Sequence, residues 1–359
     1  MQGLVCLVLS LAVAAPAGAS TMRFQKVSIK DRDDMIGGEA FTFLAPVGWK
    51  VEGGIVWRVH PVIPAAVSLR VTSPGGVEQL EAFPTLGYTY GGMAGPGGLF
   101  PVGSFYYGNE VQPPVADALK YLESRHLPRV RGKAGARVVQ RQELPKLAQA
   151  VAEADPPARG GPPIRFTAGR IRIEYQLNGK PVEEDLYCVL TSVSMPDGRS
   201  TIQVADKLYG MRAPKGRLDE ATRVFQTMVN STRPNLKWMN RYVQLTQALT
   251  RAELQRIKAA GELSRYISQT HAEVSESMRR SYEERQASQD RIGKSWSQVT
   301  RGVDEYYDAR EQKAVELPSG YGNAWVNGRG EYVVTDSLNF NPNVELGGDW
   351  RRLEPKGPP

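Results

Sequence analysis

Histidine, cysteine and acidic side chains perform much of the chemistry in proteins, and this sequence spaces its histidines and cysteines widely. The histidines are His60, His126 and His271, and none lies at metal-ligand spacing from another histidine or from a cysteine. The sequence also has no HExxH, GxxxxGKS/T or GxSxG motif. It therefore predicts no metal site, no cofactor and no catalytic centre of a familiar pattern.

Carboxylates leave one catalytic alternative open. The stretch "PVEEDLY" places Glu183, Glu184 and Asp185 at consecutive positions, where the side chains of a strand alternate between its faces instead of converging. A hydrolase can also use two carboxylates that are distant in sequence, and such a pair has no local signature. The alternative function is therefore an envelope hydrolase, with its carboxylates in a cleft beneath the tyrosine-rich loop.

The tyrosine-rich loop covers residues 86–114 and reads "LGYTYGGMAGPGGLFPVGSFYYGNEVQPP". It has no sustained period and is long for a compact domain, and long ordered loops often carry function. Tyr88, Tyr90, Tyr106 and Tyr107 combine apolar rings with polar tips, which suits recognition of a ligand. We predict these four as ligand-binding residues, and the alternative is that the loop packs onto its own sheet.

The beginning of the chain is typical of a secretory signal peptide. Residues 1–19 contain an apolar run that closes in Ala17-Gly18-Ala19, a small-x-small cleavage signal. We expect cleavage after Ala19 and a periplasmic or extracellular protein with no transmembrane segment. Only Cys188 then remains, and in "EEDLYCVL" it shares strand parity with two leucines, so we expect it to pack inward.

The chain carries a formal net charge of +7, and its basic residues are scattered. Nucleic-acid-binding proteins usually gather such residues into a dense patch interleaved with aromatic side chains, so we expect no nucleic-acid partner. An exported basic protein can instead lie against an anionic wall or lipid surface, or against an envelope protein. These surfaces are the candidate partners, and the alternative is that the charge serves only to keep the chain soluble.

Strand and helix patterns alternate through residues 20–237. The stretch "RIRIEYQL" alternates strictly, turns at Asn178-Gly179 into "PVEEDLYCVLTSVS", and then turns again into "STIQVADKLYG". The next stretch, "LDEATRVFQTMVNSTR", has the apolar spacing of an amphipathic helix. These patterns predict an α+β sandwich domain, in which helices pack on an antiparallel sheet.

Two short motifs resemble a known family. "FTFLAPVGW" near the start and "VNSTRPNLKW" after the closing helix look like the PsbP-like fold of small exported proteins, over residues 24–238. PsbP-like domains are mostly binding or assembly modules, and the resemblance supplies no catalytic motif to transfer. It implies an exported, non-catalytic binding or assembly protein of the bacterial cell envelope.

The rest of the chain predicts a spacer and a small module. Residues 238–299 contain no proline and favour a long helix with a weak coiled-coil seam, which predicts at most weak self-association. The alternatives are a helix that packs on its own domain and a helical hairpin that turns near Gly261 or Gly293. Residues 300–359 predict a β-hairpin module, similar to a segment of exported bacterial proteins that have no assigned activity. In its hairpin, Trp325 is expected to face Tyr332 and to form the core of the module instead of a ligand platform.

Overall fold

The structure, a computed structural model, describes residues 21–355 apart from 59, 61–62, 155–160, 196 and 251–301. Strands make up 47% of the described residues and helices 21%. The strands form two curled half-barrel sheets and a small three-stranded sheet. The predicted α+β sandwich with packed helices, followed by a long helix, is therefore wrong for the described chain, which is mostly β.

The strands are numbered along the chain. They are β1 (Thr21–Asp31), β2 (Gly38–Pro46), β3 (Lys50–Trp57), β4 (Ala65–Thr72), β5 (Gln79–Ala82), β6 (Leu86–Tyr90), β7 (Phe105–Tyr106), β8 (Asn109–Val111), β9 (Arg137–Glu143), β10 (Ile164–Leu177), β11 (Lys180–Ser194), β12 (Thr201–Pro214), β13 (Arg233–Pro234), β14 (Val303–Asp308), β15 (Lys313–Pro318), β16 (Asn323–Val326), β17 (Tyr332–Thr335), β18 (Arg351–Arg352) and β19 (Glu354–Pro355).

The described helices are short. They are α1 (Ala118–Tyr121), α2 (Leu127–Arg131), α3 (Pro145–Ala154), α4 (Leu218–Asn230), α5 (Leu236–Thr250) and α6 (Pro342–Glu345). Of the helix predicted over residues 238–299, α5 covers the first part, and 251–299 lie outside the described residues. No helix in the described part of the chain is long and apolar enough to cross a membrane.

The first sheet joins the two ends of the described chain, in the order β13-β2-β1-β17-β16-β18. Strand β1 lies between β2 and β17, and its register with β17 runs from Thr21 opposite Thr335 to Phe24 opposite Tyr332. Strands β16–β18, from the segment predicted as a hairpin module, therefore complete a sheet that the first strands of the chain begin.

The hairpin of β16 and β17 has a different register from the predicted one. Val326 pairs with Tyr332 and Trp325 with Val333, because the turn at Asn327 is one residue longer than expected. The backbone N–H of Asn327 closes this turn, and its side-chain oxygen accepts two further backbone hydrogen bonds from within it. Trp325 and Tyr332 therefore lie on opposite faces, and the expectation that they form one aromatic core pair is wrong.

The second sheet contains the meander that the sequence predicted. It runs β3-β4-β5-β12-β11-β10-β9, with β6 also paired to β12 and with β8 and β7 beyond β6. The turn between β10 and β11 has positive φ angles at Asn178 and Gly179, 50° and 77°, as a tight hairpin with right-handed twist requires. The three long strands β10, β11 and β12 are confirmed, and they form the centre of this sheet.

Each face of the second sheet carries an apolar core. One apolar core lies between the two sheets and α4, and includes Phe24, Phe43, Tyr187 and Phe225. The other lies on the opposite face under α1 and α2, and includes Ile171 and Cys188. Cys188 is a free thiol that is 1% exposed, which confirms its predicted inward packing. Helices α1 and α2 are joined without a break by a π-helical turn at Leu122–His126.

Candidate ligand-binding cavity

A cavity of about 600 Å³ lies between strand β2 of the first sheet, strands β3 and β4 of the second sheet, and helix α5. Strands β2, β3, β4 and β12, together with helices α3, α4 and α5, all contribute side chains to its wall. Most of the lining is apolar, and the volume lies within the range of small-molecule sites in proteins. The apolar side chains include Phe41, Ile55, Ala65, Val67, Phe166, Val204, Trp238 and Tyr242.

A β-bulge in β12 places charge in this apolar wall. The register of β11 and β12 shifts between Tyr187 and Val189, and Lys207 adopts a positive φ of 50°. The extra residue lets Asp206 and Lys207 both face the cavity, and Tyr209 follows on the same face. The flanking residue Leu208 packs into the opposite core. Regular alternation would have sent one member of the charged pair to that opposite core.

Asp206 and Lys207 form an ion pair on the cavity wall. The Lys207 Nζ lies 3.3 Å from an Asp206 carboxylate oxygen, and the Thr85 hydroxyl donates to the other oxygen at 2.8 Å. The attraction of Asp206 raises the pKa of Lys207. Burial alone would raise the pKa of Asp206, but the Lys207 charge and the Thr85 hydrogen bond lower it overall. Both groups are therefore charged near neutral pH.

The solvent-accessible parts of this pair face the cavity. The Lys207 side chain is 24% exposed and that of Asp206 is 42% exposed. Asp206 already accepts from Thr85 and from Lys207, whereas the ammonium has three donors and one described carboxylate partner. Arg233 is the third charged residue in the lining, so the cavity carries two cations and one carboxylate. This balance favours an anionic or acceptor-rich group on a ligand.

The α5 wall of the cavity is fixed by a buried carboxylate. Asp31 is 5% exposed, and its two oxygens accept hydrogen bonds of 2.8 Å from the indole nitrogens of Trp57 and Trp238. The Trp238 ring stacks on that of Tyr242, with centroids 5.3 Å apart. These contacts tie α5 to β1 and β3 and so fix the position of this part of the wall. Sequence reasoning missed Asp31, Asp206 and Lys207.

The four tyrosines predicted to bind a ligand do not line the cavity. Tyr88 is 2% exposed, belongs to the core on the opposite face of the sheet, and its hydroxyl lies 3.0 Å from that of Tyr121. Tyr90 is partly buried against Gly95. Tyr106 and Tyr107 lie together, with ring centroids 4.6 Å apart, and Tyr107 is 68% exposed. Only the last two therefore remain together near the loop surface.

Carboxylates near the tyrosine-rich loop are held by arginines. Arg131 donates to Glu81 and Glu184, each at 2.7 Å, and the burial of this group makes the contacts structural. Glu110, at the base of the loop, pairs with Arg129 at 2.6 Å. The Tyr175 hydroxyl of the neighbouring strand β10 donates to Glu184, whereas Asp185 pairs with Arg170 and Arg172. The consecutive acidic residues thus alternate between faces, as the sequence indicated.

Neither described histidine lies in the cavity. His60 is buried and accepts a hydrogen bond from the backbone of Ile63, and its other nitrogen lies 3.2 Å from Asn109. His126 is 1% exposed, and within the described chain neither of its ring nitrogens has a hydrogen-bond partner. Burial, with a smaller contribution from Arg131 and Arg129, lowers the pKa of His126 to about 4. His271 lies outside the described residues.

A second recess, of about 530 Å³, lies between α4 and the C-terminal strands. Its lining includes Glu78, Arg217, Glu220, Arg223 and Asp336, and Arg217 pairs with Glu220 at 2.8 Å on the surface. Apolar side chains such as Trp49 and Val224 also line this recess, but it offers less apolar surface to a ligand than the first cavity does. The cavity with the Asp206–Lys207 pair is therefore the better candidate.

No protein-family model matches the chain, and no curated protein matches it either.

Proposed function

We propose that this chain is an exported, non-catalytic binding protein of the bacterial envelope, and that it holds a small amphiphile in the cavity between its sheets. One observation carries the proposal: a mostly apolar cavity of about 600 Å³ has a lysine–aspartate pair built into one wall by a β-bulge. The apolar lining suits a hydrocarbon part, and Lys207 suits an anionic head. Residues 1–19 support export.

The energetics favour a ligand that satisfies both parts of the cavity. Burying apolar surface contributes about 25 cal/mol per Å², so the lining alone attracts any apolar chain. A head group that is buried without a partner opposes binding by about 1–3 kcal/mol, and a charged head by more. Lys207 can offset this cost for a carboxylate or a phosphate. The proposed ligand class is therefore an amphiphile with an anionic head.

A fluorescent polyene fatty acid is the probe that tests this proposal. The full chain should bind the acid more tightly than the corresponding alcohol, because only the acid can pair with Lys207. We expect Lys207→Met to weaken binding of the acid about tenfold, which corresponds to about 1.4 kcal/mol, and to leave the alcohol unaffected. Lys50→Met removes an exposed lysine in a surface pair with Glu52 and is the matched control.

A second variant tests the cavity itself. Thr191 lines the cavity and is only partly buried, so Thr191→Trp should fill the space with little change in melting temperature. It should abolish binding of both the acid and the alcohol. If Thr191→Trp leaves both affinities unchanged, or if the wild-type chain binds neither probe, the cavity is not the binding site and the proposal is wrong.

A further inference from the structure

The loop between β6 and β8 presents large apolar side chains to solvent. Five such residues are at least half exposed within this one stretch: Met93 (51%), Leu99 (80%), Val102 (50%), Phe105 (66%) and Tyr107 (68%). Single exposed apolar side chains are ordinary, but a group of five on one excursion is typical of an interaction surface. We call residues 91–107 the apolar tip.

The apolar tip is an ordered structure. Gly91 and Ala94 exchange two backbone hydrogen bonds, and the N–H of Gly95 donates to the carbonyl of Phe100 at 2.8 Å. Ala94 is 1% exposed, so the loop has a small interior of its own. Gly98 lies so close to the Met93 carbonyl that a Cβ there would approach its oxygen to 2.4 Å. The backbone thus folds inward on glycines, and the large side chains are left outside.

The charge around the apolar tip favours an anionic surface. Within residues 86–114 the one ionisable acid is Glu110, and no lysine or arginine is present. Glu110 is neutralised by Arg129 at 2.6 Å, and Arg125 lies 4.9 Å over the Tyr88 ring at the base of the loop. The neighbouring turn adds Arg199 and Asp197. The three arginines and two carboxylates around the loop therefore leave an excess of one positive charge.

We propose that the apolar tip docks this protein on an anionic lipid bilayer. An uncharged tip with aliphatic and aromatic side chains matches the acyl and headgroup layers, and a cationic base matches the anionic surface. Tyrosine is favoured at this depth because its ring is apolar and its hydroxyl remains hydrated. The net charge of +7 on the whole chain adds long-range attraction to the same surface.

Docking at this loop would bring the candidate cavity close to the bilayer. Tyr90, the last residue before the apolar tip, pairs with Thr201 of β12, and Val204 of the same strand lines the cavity. Three residues of a strand span about 10 Å. The docking proposal does not depend on the cavity, because it rests on the exposed side chains and on charge. If both hold, an amphiphile has a short path between membrane and cavity.

A local probe tests the docking, because the apolar segment near residue 10 could itself bind lipid in the full chain. Leu99→Cys, in a Cys6→Ser background, receives a polarity-sensitive dye; Cys188 is buried and does not compete. With vesicles of phosphatidylcholine and phosphatidylglycerol in equal parts, the dye emission should shift to the blue. The same dye at Leu338→Cys, a position 92% exposed, is the control and should not shift.

Partitioning of variants measures the strength of the docking. We expect the double variant Leu99→Ser, Phe105→Ser to lower partitioning to the mixed vesicles at least about tenfold, because it removes the two apolar side chains that would enter the bilayer. The pair Leu338→Ser with Val344→Ser removes apolar groups that are at least as exposed but lie elsewhere, and it should change partitioning less than about twofold. Zwitterionic vesicles or high salt should weaken wild-type binding, because screening removes the charge attraction.

Other results would overturn the proposal. The proposal fails if the dye at residue 99 does not respond to vesicles, or if both double variants lose partitioning equally. It also fails if the apolar tip binds a protein from the envelope and ignores lipid. Binding of the fluorescent fatty acid should be unchanged in the Leu99→Ser, Phe105→Ser variant, so failure of docking and failure of the cavity proposal are distinguishable.

Discussion

Removing two methyl groups from β17 should destabilise the first strands of the chain, more than 300 residues away in sequence. Val334 is fully buried and pairs with Met22 of β1 on one side and with Ala324 of β16 on the other. It also belongs to the core that contains Phe24 and the other side chains between the sheets. If the first sheet is one cooperative unit, Val334→Ala weakens all of it.

The size of the effect follows from the burial of Val334. Each buried methyl-sized group contributes about 0.8 kcal/mol, and the space left behind adds a cavity cost. The substitution should therefore lower the free energy of unfolding by about 2–3 kcal/mol. For a protein of this size, that corresponds to a melting temperature about 5 °C lower. Val344→Ala is the matched control, since Val344 is 79% exposed and should change stability by less than about 0.5 kcal/mol.

Urea unfolding and native-state hydrogen exchange measure the two parts of this expectation. Unfolding of Val334→Ala should remain a single transition, and the amides of β1 and β2 should lose protection together with those of β16 and β17. The reasoning is refuted if the C-terminal strands lose protection while β1 keeps its own. That outcome would mean that residues 300–359 unfold as an independent module.

Two further predictions concern buried charge. Arg131→Met should cost about 3–5 kcal/mol because it leaves the buried carboxylate of Glu184 without its arginine, although Tyr175 still donates to Glu184 and Glu81 keeps Arg70. Arg217→Met breaks an exposed pair and should change stability far less in the same urea measurement. His126 has a folded pKa of about 4, below its ordinary value of 6.5. The unfolded chain therefore takes up the proton first, and stability should fall by about 3 kcal/mol as the pH drops from about 6.5 to about 4. His126→Leu should lack this part of the acid sensitivity, and an unchanged pH profile would contradict the assignment.

Local patterns in the sequence predicted the centre of the second sheet. The alternation of Ile171, Ile173 and Tyr175 places all three in one core, and Asn178-Gly179 makes the expected turn. Such features depend on a few neighbouring residues, so the sequence carries their signal directly. The amphipathic helix α4 was recognised for the same reason.

Long-range features could not be read in the same way. The pairing of Phe24 with Tyr332 depends on the curvature of two sheets, and the sequence of neither strand indicates which strand it pairs with. The fold class was wrong because the chain is mostly β: two curled sheets enclose the main core, and the short helices cover only parts of their faces instead of forming a layer of their own. The candidate site depends on the bulge at Lys207. A positive φ is usually signalled in a sequence by glycine, and this position is a lysine.

The pairing of β1 with β17 also has a consequence for how the chain folds. During synthesis β1 and β2 appear first, yet the free edge of β1 has no partner until more than 300 further residues have been made. Contacts of such large sequence separation form slowly because a long loop must close, and an unpaired strand edge can meanwhile bind another chain. We therefore expect refolding yields to fall as protein concentration rises. A peptide that covers β16 and β17, added in trans, should compete for this edge and slow the last folding step.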